Sequence, residues 1–353
     1  NLPFGVFALW MTQRHLRLPV MRRDTSIDGL GAVLLVAGVA TLILGLSWSP
    51  GQYGWASFQT LGMLAFSGAS LVALLVWEPR STNPILPVHL FRNHTVQTMV
   101  PMVTLISAAM TTVSSFMPLF LQVATGASAT RSGLMMVPQS FSISATATLS
   151  GYLVSRFGRY KWTLVAGPLI GATGLLLLST IDRDTTPLGL APFLVIMGFG
   201  TGLAFPNMTI GVQNTVAMAD LGVGTSTSNF FRNMGATFGA AILGAVLNAR
   251  LDAALVARIP AERLAEVGGA EGLIRSPKVV RELPTDLHEA VVGAVTESVT
   301  TVIRWVVPVM LVVFALGTLV REKPLRTTSA LGGPARGPGS AEPGPATAEP
   351  AHG

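Results

Sequence analysis

The chain has 353 residues, of which 50% are hydrophobic and only 11% charged, with a mean hydropathy of +0.57. Soluble domains carry roughly 25% charged residues, so there is too little polar side chain here to cover a water-soluble globule. The absence of cysteine removes disulfides, thiolate metal sites and cysteine nucleophiles, and the formal charge of +6 poses the question of a nucleic-acid partner.

In chain order, the first element is a short apolar stretch from Leu2 to about His15. It offers only about a dozen residues before Gln13 and Arg14, where a crossing of the ~30 Å hydrocarbon core needs about 20, so residues 1–18 are expected to be a truncated transmembrane span. Eight full spans follow, near 29–48, 58–77, 97–122, 132–154, 161–181, 188–213, 226–249 and 300–320, none with a carboxylate in its interior. The expected fold is an all-α, polytopic transmembrane bundle. Residues 250–299 read as an extracytoplasmic loop with an amphipathic helical pattern from Arg250 to Arg258, broken later by Gly268, Gly269 and Pro277. Residues 327–353 are rich in Pro, Gly, Ala and Thr, the composition of a disordered tail.

Alternate crossings sort the short loops onto two sides, and Lys and Arg are not shared evenly. One side holds Arg14, Arg17, Arg22, Arg23, Arg80, Arg92, Arg156, Arg159, Lys161, Arg321, Lys323 and Arg326; the other holds Arg131 and Arg183. Positive residues stay inside, so the first group and the C-terminus are expected to be cytoplasmic, in a multi-pass protein of the cell membrane. The basic balance is then topology, and no nucleic-acid partner is expected. Nine crossings ending inside would put Asn1 at the outer face, which leads to the expectation that upstream spans precede this sequence.

Within the spans, Gly198 and Gly202, Gly235 and Gly239, and Gly167 and Gly171 are spaced four apart, the pattern that lets helix backbones approach where lipid gives no hydrophobic drive to associate. Pro206 and four other prolines interrupt spans and can hinge them. Polar groups in a membrane face a cavity or another helix, which singles out Gln213, Asn214, Asn229 and Arg232, with Asn207, Asn233, Gln122 and Gln139 beside them. Arg232 reads two ways: a cavity-facing cation, or an arginine that snorkels to the headgroups. All five histidines lie in loops, the first stretch or the tail, and no metal site, cofactor or catalytic residue is expected.

The stretch Gly151-Tyr152-Leu153-Val154-Ser155-Arg156-Phe157-Gly158-Arg159 resembles the Gly-x-Leu-x-Asp-Arg-x-Gly-Arg loop of the major facilitator superfamily. Other stretches resemble its fourteen-span drug:proton antiporter branch: Asn1 to Gly5, Pro84 to Asn93, Gln213-Asn214 and Phe231 to Gly235. The resemblance implies two central helices over 29–77, a C-terminal six-helix bundle over 97–320, and a gating loop in which Gly151, Leu153, Arg156, Gly158 and Arg159 take part, with the two arginines meeting carboxylates or helix C-termini as the gate closes. Ser155 stands where the family usually has an acidic residue. What it implies for function is proton-driven efflux of lipophilic or cationic small molecules by alternating access, with protons and the bilayer as the other partners. A sensor or scaffold with a transporter fold, and a polytopic membrane enzyme, are the alternatives; only Asp182, Asp184 and Glu297 come near the convergent acids an enzyme would need.

Overall fold

The computed structural model describes residues 2–15, 28–48, 53–54, 56–81, 88–182, 185–260, 263, 280 and 283–322; the 327–353 tail lies outside the described residues. Among them are the α-helices α1 (Leu2–His15), α2 (Gly29–Trp48), α3 (Phe58–Trp77), α4 (His94–Ala124), α5 (Ala129–Met135), α6 (Val137–Phe157), α7 (Lys161–Leu178), α8 (Pro187–Thr215), α9 (Leu221–Arg258) and α10 (Thr285–Leu319), and no strand. Seven helices are long and apolar enough to cross a membrane: α2, α3, α4, α7, α8, α9 and α10. This is a multi-pass helical membrane protein.

Two expectations change. The run 132–154 is not one continuous helix: it breaks at Met136, where α5 ends and α6 begins, because Pro138 has no N–H to continue the ladder of α5. The loop 250–299 is helical at both ends. With 38 and 35 residues, α9 and α10 reach about 57 and 52 Å, well past a ~30 Å core. Their projecting ends pack together, burying Leu251, Leu255, Leu287 and Val291, and are tied by Arg258 Nη2 to Glu297 Oε2 and Arg263 Nη1 to Asp286 Oδ2, both at 2.6 Å.

The bundle of α4, α6, α7, α8, α9 and α10 is set by where backbones touch. A Cβ on Gly235 would overlap the Thr104 carbonyl and one on Gly239 the Ala108 backbone, so α9 lies directly on α4 and parallel to it. A Cβ on Gly198 would stand 2.7 Å from the Gln139 carbonyl oxygen, and one on Gly202 would overlap that of Ile143, so α8 lies parallel on α6 in the same manner. Gly167, Gly171 and Gly174 of α7 meet Ala204, Gly200 and Met197 of α8 in antiparallel order, and Gly317 of α10 meets the Leu164 backbone of α7. Two pairings are preserved when α4, α6 and α7 are exchanged for α8, α9 and α10: α4 packs on α9 as α8 packs on α6, and α10 on α4 as α7 on α8. Because the two triplets start on opposite sides, this is an inverted repeat.

The face of α6 turned to its neighbours carries Ser132 from α5, then Gln139, Ser142, Thr146 and Ser150, all buried, while Phe141, Leu149 and Tyr152 are exposed. That is the reverse of a soluble helix. Ser142 Oγ donates to the Val195 carbonyl at 2.9 Å and Ser150 Oγ to that of Leu203 at 3.0 Å, so the small polar groups bind α8 while the apolar ones face out. Beside the bundle, α2 and α3 form a hairpin that touches α9 through α2. Its entry is held by Asp28, which accepts from the Gly31 N–H at 2.8 Å and the Trp77 indole at 3.1 Å. The Gly31 amide first, then the Ser81 hydroxyl and Trp77, hold the Asp28 carboxyl below its usual range.

Substitutions at the close approaches separate steric packing from mere small size. Gly235→Leu is expected to destabilise by ~1–3 kcal/mol or more, lowering the melting temperature in detergent, whereas Gly151→Ala, with open space around the new Cβ, leaves it unchanged. Equal melting of the two variants would contradict the α4–α9 contact. A second test uses pH. Hydrogen bonding from Arg263 depresses the Asp286 carboxyl below its ordinary 3.8, so the pair is complete above about that value and is lost only as pH falls through the lower folded value. Spin labels on cysteines introduced at 259 and 283 of this cysteine-free chain should report one unchanged distance from pH 8 down to the ordinary carboxylate range, and a broadened one only as pH falls through the lowered folded value of Asp286.

Candidate functional site

The turn between α6 and α7 takes its shape from Gly158, which has φ of 69° and donates its N–H to the Val154 carbonyl at 2.9 Å, the left-handed residue that ends a helix. Gly151 is half-buried two turns earlier, with open space where a Cβ would stand, and Leu153 is half-buried two residues on. Arg156 extends back to the Tyr152 hydroxyl, 3.3 Å from its Nη1, and both are exposed. Arg159 Nε lies 3.7 Å from Glu322 Oε2, and the other oxygen of Glu322 accepts from the Lys161 N–H at 3.2 Å. Glu322 follows α10, 161 residues from Lys161 in sequence, so the turn is closed by a carboxylate of its own bundle. No local spacing revealed that partner.

The second cluster joins α8 to α9. Gln213 Nε2 donates to Thr225 Oγ1 at 2.9 Å across the turn between these helices. Asn229 is half-buried one turn before Arg232 on α9. The Arg232 guanidinium carbon stands 6.0 Å from the centroid of the Phe205 ring on α8, directly before Pro206, so a half-buried cation is held against an aromatic quadrupole. Phe231 packs edge-on to Phe230 and Phe91, with centroids 5.3 and 5.9 Å away. Asn93 caps α4 by accepting from the Thr95 N–H at 3.0 Å and donates its amide to the Thr215 carbonyl at 3.1 Å, which ties the start of α4 to the end of α8. The structure therefore sets Gln213 and Arg232 each against a partner across the α8–α9 pair, about two turns apart; Asn214, next to Gln213, is half-buried. Phe205, Thr225 and Asn93 were missed by a search for polar residues, since two are marked only by their neighbours in space and one lies in a loop.

Asn207 is different. It is fully buried and donates its amide to Ser150 Oγ and to the Leu203 carbonyl, bridging α6 and α8, while its Oδ1 has no hydrogen-bond partner. Pro206 lies beside it inside α8, on the helix that Gly198 and Gly202 press against α6. An internal proline, close approaches and a polar bridge thus fall within one stretch of α8. Among the described residues no three His, Asp or Glu converge as metal ligands.

The Major Facilitator Superfamily model matches residues 5–240. The chain belongs to the major facilitator superfamily. Among its relatives, the Multidrug transporter protein MdtP of Bacillus subtilis is 36% identical over 243 residues, 69% of this chain and 45% of the relative. The Uncharacterized MFS-type transporter Rv1877 of Mycobacterium tuberculosis is 35% identical over 328 residues, 92% of this chain and 47% of the relative. Multidrug resistance protein 3 of Bacillus subtilis is 26% identical over 242 residues, 69% of this chain and 47% of the relative. The chain spans about half the length of the curated relatives it matches. The α6–α7 turn and the α8–α9 pair are where this facilitator bundle carries the side chains described above.

The turn makes a direct prediction. Gly158→Val places a β-branched residue at positive φ and is expected to cost ~1–2 kcal/mol of stability, while Glu322→Gln leaves the fold intact and frees Arg159. Faster labelling of a cysteine at 159 in the Glu322→Gln background would show the release; an unchanged rate would show that the carboxylate does not hold the turn.

Proposed function

We propose that this facilitator chain is the C-terminal portion of a fourteen-span, proton-driven efflux transporter of lipophilic drug-like compounds, working by alternating access in the cell membrane with its C-terminus in the cytoplasm. The observation that carries the reading is the Arg232–Phe205 stack, on the helix pair that also carries Gln213, Asn214 and Asn229. Such a surface offers one fixed charge, a few amides and aromatic rings, which suits loose recognition of apolar molecules better than the many hydroxyls of a sugar. Two relatives bear multidrug names, and the order of the five motifs along the chain supports the fourteen-span branch. The inverted repeat gives one of the two bundles that rock against each other, with the α6–α7 turn at the inner gate, and Gly198, Gly202, Pro206, Gly235 and Gly239 as the packing and hinge positions.

Charge sets a condition on the substrate. Arg232 is a fixed cation and the described span interiors hold no carboxylate to answer it, so a cationic substrate must find its countercharge on a surface other than this one. The same holds for the coupling proton. Expression of the protein from its gene should lower accumulation of a lipophilic dye in energised cells, and an uncoupler should restore it. Arg232→Ala should reduce the efflux rate roughly 2- to 30-fold at equal protein level, the range of ~0.5–2 kcal/mol for a cation on an aromatic face. Accumulation equal to that of the empty vector would sink efflux, and efflux indifferent to the uncoupler would sink the proton drive.

A further inference from the structure

At the end of the bundle opposite the α6–α7 turn, α9 and α10 enclose a cavity of about 420 Å³ lined by Arg250, Arg258, Glu297, Ser298 and Thr301, with a wall of alanines from α9. Its depth follows from sequence: Arg250 comes directly after the apolar run 226–249, and Glu297 and Ser298 directly before the run 300–320. The cavity therefore sits where the hydrocarbon gives way to headgroups, whichever face of the membrane that is. Arg258 is neutralised by Glu297 at 2.6 Å, but Arg250 makes no ion pair among the described residues, and Thr301 lies beside it on the cavity lining. The lining thus carries one net positive charge, a hydroxyl and an apolar wall at the level of lipid phosphates.

We propose that this cavity seats the monoanionic phosphodiester headgroup of a membrane phospholipid, with Arg250 and Thr301 holding phosphate oxygens and the alanine wall covering the glycerol. An unpaired guanidinium is the donor best matched to a phosphate, through parallel N–H bonds. The Arg258–Glu297 pair shapes the far side and leaves the charge count at one, which fits a single phosphodiester. Bound there, the lipid spans the seam between α9 and α10 at the base of their projecting ends, so it stabilises the pairing of the two longest helices of the bundle. The site is separate from the α8–α9 cluster and stands or falls independently of efflux.

The experiment is native mass spectrometry of the full chain released from micelles containing phosphatidylglycerol, with diacylglycerol and glycerol 3-phosphate as companion probes. Wild type should retain one phosphatidylglycerol, Arg250→Gln about tenfold less, and Arg250→Lys most of it, in line with the loss of one charge-assisted contact. Thr301→Val, a change of nearly the same size, should weaken retention with no change in lipid-free melting, which separates binding from folding. Equal retention by Arg250→Gln and wild type, or equal retention of diacylglycerol, would overturn the proposal. Displacement of the lipid by millimolar glycerol 3-phosphate would also overturn it, in favour of a soluble phosphate ligand.

Discussion

Lipid tails are as apolar as leucine, so helices in a bilayer gain little from hiding apolar side chains against each other, and what brings them together is close backbone contact. Everything else in this bundle depends on that. Gly235 and Gly239 let α9 rest on the backbone of α4, Gly198 and Gly202 let α8 rest on α6, and the α7–α8 seam has glycine on both sides at Gly171 and Gly200. At each point a methyl group would strike a carbonyl or an α-carbon, so these contacts fix both the distance and the register of the helices. The reversed pattern of α6 follows from the same cause: its serines and threonine take the inside because they are small and can donate to carbonyls of α8, and its phenylalanine and leucine take the outside because lipid accepts them at no cost.

The contacts also aim the polar cluster. Residues on a helix advance by about 100°, so Arg232, three before Gly235, lies about 60° around α9 from the glycine pressed on α4. Turning Arg232 toward lipid would lift Gly235 off Thr104. The stack on Phe205 is thus set by helix packing, and the cation is held by geometry that its own energy could not maintain alone, since a cation on an aromatic face contributes ~0.5–2 kcal/mol. On α8 the same logic joins Phe205, the Pro206 interruption and the Asn207–Ser150 bridge to the seam with α6, so any bending of α8 at the proline is felt both at the arginine and at the α6–α7 turn that follows Ser150.

Much of this was legible in the sequence. Apolar run lengths mark the helices over 29–48 and 58–77, and the four-residue glycine spacings fall at close backbone approaches, though the spacing alone does not say which helices meet there. The Gly158 turn was readable because left-handed backbone has its own residue preference. What escaped has a common physical reason. The break at Met136 was hidden because the run 132–154 is apolar enough on average, and only Pro138 marks the missing amide. The helical pattern from Arg250 to Arg258 was readable, but its continuity with α9 and its pairing with the start of α10 were not, because the two ends are joined by long-range contacts such as Arg258–Glu297. Glu322, Phe205 and Asn93 act on residues more than 25 positions away, and no periodicity carries that information.

The placement of charge then limits how such a bundle can do work. Every ion pair among the described residues lies at a helix end: Arg159 with Glu322 at one, Arg258 with Glu297 and Arg263 with Asp286 at the other. Between them the helices carry Arg232, tempered by a ring instead of a carboxylate, and Arg304, which reaches the Ser179 carbonyl at 3.5 Å. Exposed end pairs are individually weak and salt-screened, so they can be broken and remade in turn, as the proposed alternating access requires. A carboxylate beside Arg232 would have bound it far more strongly in a low dielectric and fixed it in one state. Holding the cation by an aromatic face keeps it desolvated at modest cost and leaves its charge available to whatever group, on a substrate or on an opposing surface, next comes within reach.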